Sequence, residues 1–220
     1  MWPGFKYVAA FMAGLPLWGI PSTASVEPRT NPAAAPRSDL DALLWPSAGA
    51  RRIDQRGATV SPADLRDRIA VVAFVAPDCS IVCVTRALDL DRVAKSLPEP
   101  MRDRAVFLAV SLDDATTGGR TNDVPALRTF VEGTVGADTR LRFLAGDAAW
   151  TASLVAMLRY PSALLPEPPP QVLVFDRRGG IAMSYGGDPV DRPRLERDLP
   201  LLDSFAEGLD AAPAHGSRPL

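Results

Sequence analysis

The segment that most constrains the fold is Ile69 to Ala76, Ile-Ala-Val-Val-Ala-Phe-Val-Ala, an unbroken apolar stretch rich in β-branched residues. It is too short to form a helix of its own and has no polar face, so it predicts a strand buried on both sides. Covering both faces takes helices above and below, which points to a layered α/β arrangement. The residues that follow agree with this. Pro77, Asp78 and Cys79 end the run, and from Cys83 onward Ala87, Leu90, Val93, Ala94 and Leu97 recur at helical spacing until Pro98. Cys79 and Cys83 therefore fall where a strand hands over to a helix.

The same reading extends along the chain. Arg52 to Val60 predicts a short hairpin with Gly57 in its turn, and Ser61-Pro62-Ala63-Asp64 is a capping box opening one helical turn. Ala105 to Leu112 is a second buried strand that runs out into Asp113 and Asp114. Asp123 and Pro125 open a helix carrying Leu127, Phe130 and Val131, which Gly136 closes. A short strand from Leu141 to Leu144 precedes a helix capped by Asp147, with Trp150, Leu154 and Leu158 on one face. Pro166 to Pro170 excludes regular structure. Gln171 to Asp176 and Ile181 to Tyr185 form a hairpin, and Asp191 with Pro193 opens a last helix that Pro200 kinks or breaks, with Leu195, Leu199 and Leu202 facing inward. The order is β-α-β-α-β-α-β-β-α after the N-terminal hairpin, with no internal repeat.

The ends of the chain differ in composition from the middle. Lys6 precedes an apolar run from Tyr7 to Ile20 and then Ser22-Thr23-Ala24, the layout of a secretory signal, so residues 1–24 are expected to be a signal peptide or an N-terminal anchor. Residues 25–46, rich in Pro and Ala, are expected to be a tether, 47–209 the folded domain, and 210–220 a disordered tail. This makes the protein exported, in the periplasm or on the outer face of the cytoplasmic membrane, touching the membrane only through the N-terminal segment. The net charge of -2 comes from 24 basic and 26 acidic residues intermixed along the chain, which offers no stripe for a nucleic-acid backbone. Nothing resembles a phosphate-binding glycine loop or a serine-histidine-aspartate triad, and a monomer is expected.

The cysteine pair carries the chemistry. Unpaired N–H groups and the dipole at a helix N-terminus favour a thiolate, which is both a nucleophile and a soft metal ligand. As a structural staple the pair is weak, because a bridge over so short a loop removes little entropy from the unfolded chain. Side chains four apart on a regular helix have Cβ atoms about 5–6 Å apart, wider than the ~3.8 Å of a disulfide. The spacing therefore favours a metal between the sulfurs, with reversible oxidation left open. Asp78 and Asp113 are candidates for tuning the cysteines, although each is more simply a cap or turn residue. Met157 and Met183 are soft donors that lie in core-like patterns, and Trp150 reads as core.

Asp54-Gln55-Arg56-Gly57, Ser61-Pro62-Ala63-Asp64-Leu65-Arg66, Cys79-x-x-x-Cys83 and Val110-Ser111-Leu112-Asp113 together resemble the SCO/SenC family. That resemblance implies a single thioredoxin-like α/β domain with a central mixed sheet flanked by helices and an N-terminal hairpin extension. It also implies an accessory protein of cytochrome c oxidase assembly that handles Cu(I) or thiol redox state, with Cys79 and Cys83 as metal ligands and a copper-oxidase subunit or other exported thiol protein as partner. The family's third ligand is a histidine just before the strand ending at Asp176. Pro168 or its neighbour holds that position here, and the chain's one histidine, His215, lies in the tail. The family's prolines after each cysteine are replaced by Ser80 and Val84.

Pro170, just before the same strand, is similar to the proline that thioredoxins hold in cis opposite their cysteines, and this makes it a catalytic candidate beside Cys79 and Cys83. Two other functions are compatible with these residues. One is an exported thiol-disulfide oxidoreductase without copper, and the other is a degenerate binding module.

Overall fold

A computed structural model describes residues 38–47, 49–76, 79–112, 124–186 and 188–211. The signal, Asp78, Asp113, Asp123 and His215 lie outside the described residues.

One five-stranded sheet organises the chain, in the order β5-β4-β3-β6-β7. Its central strand, β3 (Ile69–Val75), is buried at every position, as the apolar run predicts. β3 pairs in parallel with β4 (Ala105–Ser111), which pairs in parallel with β5 (Leu141–Leu144). On its other side β3 pairs antiparallel with β6 (Gln171–Phe175), which forms a hairpin with β7 (Ile181–Gly186). The N-terminal hairpin is β1 (Arg52–Ile53) with β2 (Thr59–Val60), and Gly57 takes the left-handed conformation at φ 82° that its turn requires. The helical turn α2 (Pro62–Leu65) begins with the expected capping box, the Ser61 N–H donating to Asp64 Oδ2 at 2.7 Å.

Alternate residues of β3 face two separate apolar layers. Ile69, Val71, Ala73 and Val75 pack with Cys83, Ala87 and Leu90 of α3 (Ile81–Ser96), Met101 of α4 (Glu99–Arg104), Leu127 of α5 (Val124–Thr134) and Leu195 of α7 (Arg192–Ala211). Ala70, Val72 and Phe74 pack with Trp150 and Leu154 of α6 (Ala148–Met157) and with Leu40, Leu43 and Leu44 of α1 (Asp39–Leu44). Trp150 is thus core, on the face of the sheet away from the cysteines.

Helix α1 corrects the expected tether. Within residues 25–46, Leu40, Leu43 and Leu44 make one apolar face of a single turn and a half, capped by Ser38, whose Oγ accepts the Asp41 N–H at 3.1 Å. The Trp150 indole N–H donates to Leu43 O at 2.9 Å, and Arg52 Nε donates to Leu44 O at 2.5 Å while its guanidinium stacks on the Trp150 ring. Ser38 to Pro46 therefore belong to the folded part, ahead of the expected boundary at 47. At the other end α7 passes through Pro200 without a break and reaches Ala211, two residues beyond the expected domain end.

Candidate functional site

The backbone turns sharply after β3. The Cys79 N–H donates to Ala76 O at 3.1 Å, and α3 begins only at Ile81, with Ser80 as its N-cap accepting the Val82 N–H. Cys79 is therefore outside the helix and Cys83 is in its first turn. Their Cα atoms are 6.1 Å apart and the sulfurs are joined in a disulfide. This corrects the premise that both residues sit on regular helix, from which the spacing was read as favouring a metal. With the first cysteine in the bend, the Cα separation falls inside the usual range of about 4.4–6.8 Å for a bridge.

The two sulfurs have different surroundings. Cys83 is 1% exposed, with the Ala76 N–H 3.4 Å from its sulfur, whereas Cys79 is half-buried at the rim. Exposed apolar side chains lie near this rim: Ile81 at 73% on the first turn of α3, and Leu164 at 52% in the turn whose carbonyl receives the Glu167 N–H.

Two charged groups that the sequence reading did not single out complete the frame. Glu167 reaches across from the proline-rich loop, accepting the Ser80 N–H at 3.2 Å and the Ser80 hydroxyl at 3.3 Å. It does the work of a capping-box glutamate from a distant part of the chain and brings a negative charge to the end of α3 that would otherwise favour a thiolate. Tyr160 steadies this loop by donating to Glu167 O at 2.9 Å, and burial, with Glu167 nearby, holds its phenol above the usual range.

Arg86, one turn beyond Cys83, is 1% exposed. It forms a two-pronged ion pair with Asp188, at 2.9 and 2.5 Å, and its Nη1 donates to Phe74 O near the end of β3 and to Pro169 O at 3.1 Å. One guanidinium thus ties the end of β3, the loop before β6 and the loop after β7 to the helix that carries Cys83. Arg86 falls at helical spacing from Cys83, but nothing in the sequence signals that its partner is about a hundred residues away.

Other candidates fare differently. The cis peptide bonds among the described residues are Leu165–Pro166 and Asp188–Pro189, so the bond before Pro170 is trans and Pro170 itself is exposed. The likeness of Pro170 to the thioredoxin proline is therefore corrected, because the cis bond sits four residues earlier. Met157 is 47% exposed, contrary to its core-like spacing, and Met183 packs at the edge of the core against Tyr185. No group of three or more His, Cys, Asp or Glu side chains placed to hold a metal occurs among the described residues. Soft Cu(I) prefers sulfur, and what stands in the loop expected to carry the third ligand is the hard carboxylate of Glu167, directed at Ser80. None of the described helices is long and apolar enough to cross a membrane.

No family model and no curated protein matches the sequence. Solved structures do match. Copper-bound ScoI of Bradyrhizobium japonicum is similar with a TM-score of 0.54 at 18% identity, over 69% of this chain and 96% of that one. Copper-bound ScoI of Arabidopsis thaliana gives 0.55 at 16% identity, over 71% and 96%. BsSco, a Sco-family cytochrome c oxidase assembly protein described as having a disulfide switch, gives 0.54 at 14% identity, over 71% and 92%. The chain has the thioredoxin-like fold of the Sco proteins.

Proposed function

We propose that this chain is an exported, Sco-like accessory protein whose Cys79–Cys83 pair cycles between dithiol and disulfide to reduce the cysteines of a client, the copper-site subunit of a respiratory oxidase being the client that the resemblance suggests. One observation carries the reading: a bridge at the mouth of the sheet with one sulfur accessible and the other buried. That asymmetry supports a division of roles. In the reduced protein the Cys79 thiolate attacks a client disulfide, one client sulfur leaves as a thiolate, and a mixed disulfide forms. Cys83, held beneath, then attacks the Cys79 sulfur, releasing the second client thiolate and regenerating the bridge. The two electrons given to the client are restored by a dithiol reductant. Ile81 and Leu164 supply an apolar rim on which the segment around a client cysteine can rest.

The test is turnover. The reduced chain should reduce insulin or glutathione disulfide in stoichiometric amount, and catalytically with a dithiol donor, and Cys79→Ser should abolish both. If the wild-type chain is inactive against these and a copper-oxidase subunit alike, the redox reading fails.

The likeness to copper-bound proteins supports a second reading, in which Cu(I) is cargo held by the two thiolates alone. A two-sulfur site without a third soft donor would bind weakly. Bicinchoninate should then strip Cu(I) from the reduced chain readily, and Cys79→Ser should remove what binding there is.

A further inference from the structure

The opposite end of the sheet carries a second feature, unconnected with the cysteines. The residues that lead into the three parallel strands include arginines: Arg68 directly before β3, Arg102 in the helix before β4 and Arg140 directly before β5. Arg142 from β5 and Arg56 from the turn between β1 and β2 join them. The five line one recess of about 150 Å³, over a floor that includes Phe107, and no carboxylate is part of its lining.

What holds these guanidiniums in place is mostly neutral. Arg68 Nε and Nη2 donate to Asp103 O at 3.0 and 2.9 Å, and Arg56 Nη2 donates to Thr139 O at 2.7 Å. Arg102 Nε donates to Leu97 O at 2.5 Å and Arg140 Nη2 to Arg102 O at 3.3 Å. Only Arg142 is paired with a carboxylate among the described residues, Asp54 Oδ2 at 3.1 Å. Asp64 is near enough to feel Arg142 and Arg68, but its oxygen is taken by the Ser61 N–H and hydroxyl, whose hydrogen bonds hold its pKa below the usual range. Backbone oxygens fix a guanidinium without cancelling its charge, and each guanidinium has five N–H donors, of which one or two are used here. Composition does not force the crowding, since the chain has 26 acidic residues for 24 basic ones.

We propose that this recess binds a compact phosphate oxyanion, carried either by a soluble phosphate compound or by an anionic phospholipid headgroup. Arginine forks match phosphate oxygens in pairs, and five converging guanidiniums offer more donors than one carboxylate can accept. The volume lies below the ~300 Å³ at which ordinary organic-ligand clefts begin, which suits a small anion. The length of β3, 7 residues, separates this end from the disulfide by roughly 20 Å at about 3.3 Å per residue. An anion bound here leaves the disulfide uncovered, and a headgroup bound here turns the disulfide away from the membrane surface.

The test uses the full chain and Arg56→Gln/Arg140→Gln, a double variant at two exposed positions. Inorganic pyrophosphate should raise the melting temperature of the wild type beyond the effect of sodium chloride at matched ionic strength, and binding should weaken about tenfold or more in the variant. In parallel, sedimentation with phosphatidylglycerol vesicles, compared with phosphatidylcholine vesicles, should retain the wild type better than the variant. A difference with pyrophosphate alone identifies a soluble ligand, and a difference with vesicles alone identifies a headgroup. No difference in either arm overturns the proposal.

Discussion

At the end of the sheet where β3 gives way to Cys79, Arg86 is met by Asp188 and Glu167 by Ser80, so the described charges around the disulfide are locked into the fold. At the other end Arg56, Arg68, Arg102 and Arg140 are met by backbone oxygens and keep their charge. The contrast separates two uses of arginine. A buried guanidinium with a carboxylate partner is framework, because removing either partner strands the other. Guanidiniums held by neutral oxygens at a surface remain available to an outside anion and respond to salt.

The sharpest way to break this comparison is to remove one arginine from each end. Arg86→Met should cost about 3–5 kcal/mol, since it leaves Asp188 without its partner and two carbonyls without a donor. Arg140→Gln should stay within about 0.5 kcal/mol. Denaturant melts of the oxidised proteins measure both, and equal losses would show that the two ends do not differ. Next in size is the disulfide itself. Its short loop limits the entropic gain to roughly 2 kcal/mol, so the reduced chain should remain folded with its unfolding free energy lowered by that amount.

Glu167→Gln tests the framing of the disulfide more finely. Losing the charge at the α3 N-terminus should cost about 0.3–1 kcal/mol of stability. It should also favour the reduced form, because the Cys79 thiolate no longer shares the helix end with a carboxylate, and equilibration against glutathione should report a more oxidising potential. The smallest effect lies away from both ends. Burial, reinforced by its hydrogen bond to Asp198 at 2.9 Å, pushes the Tyr185 phenol up to about 12. A raised pKa means that this stabilisation is complete below about pH 10, the unfolded value, and is lost as pH climbs toward 12. Tyr185→Phe should flatten that alkaline leg, as read from melts at both sides of the window, and should do so whether the cysteines are oxidised or reduced.

The strands were legible because their signal is local. The run from Ile69 to Ala76 is apolar throughout and its counterpart from Ala105 to Leu112 is broken only by Ser111, and a strand buried on both faces needs no other information to be recognised. Helix α1 was hidden for the opposite reason: three leucines make a single turn among prolines, and their burial depends on Trp150, far along the chain. At the site, the position of the cysteines followed from the strand-to-helix pattern. Their bonding state did not, because it depends on where α3 starts: with the start at Ile81 the first cysteine lies in the bend before the helix, and the pair can close. Arg86 with Asp188, Glu167 with Ser80, and the five arginines are all assembled by chain crossings. A charge count of -2 could not reveal that the fold gathers five arginines at one end of the sheet.

The central claim is that the accessible sulfur of the pair is the reactive one, and mixed-disulfide capture tests it most directly. After incubation with glutathione disulfide, Cys83→Ser should accumulate a single glutathione adduct on Cys79, detected by mass spectrometry. Folded Cys79→Ser should remain unmodified, its Cys83 being sealed beneath the rim. Equal labelling of the two variants, or labelling of Cys83 alone, would contradict the account.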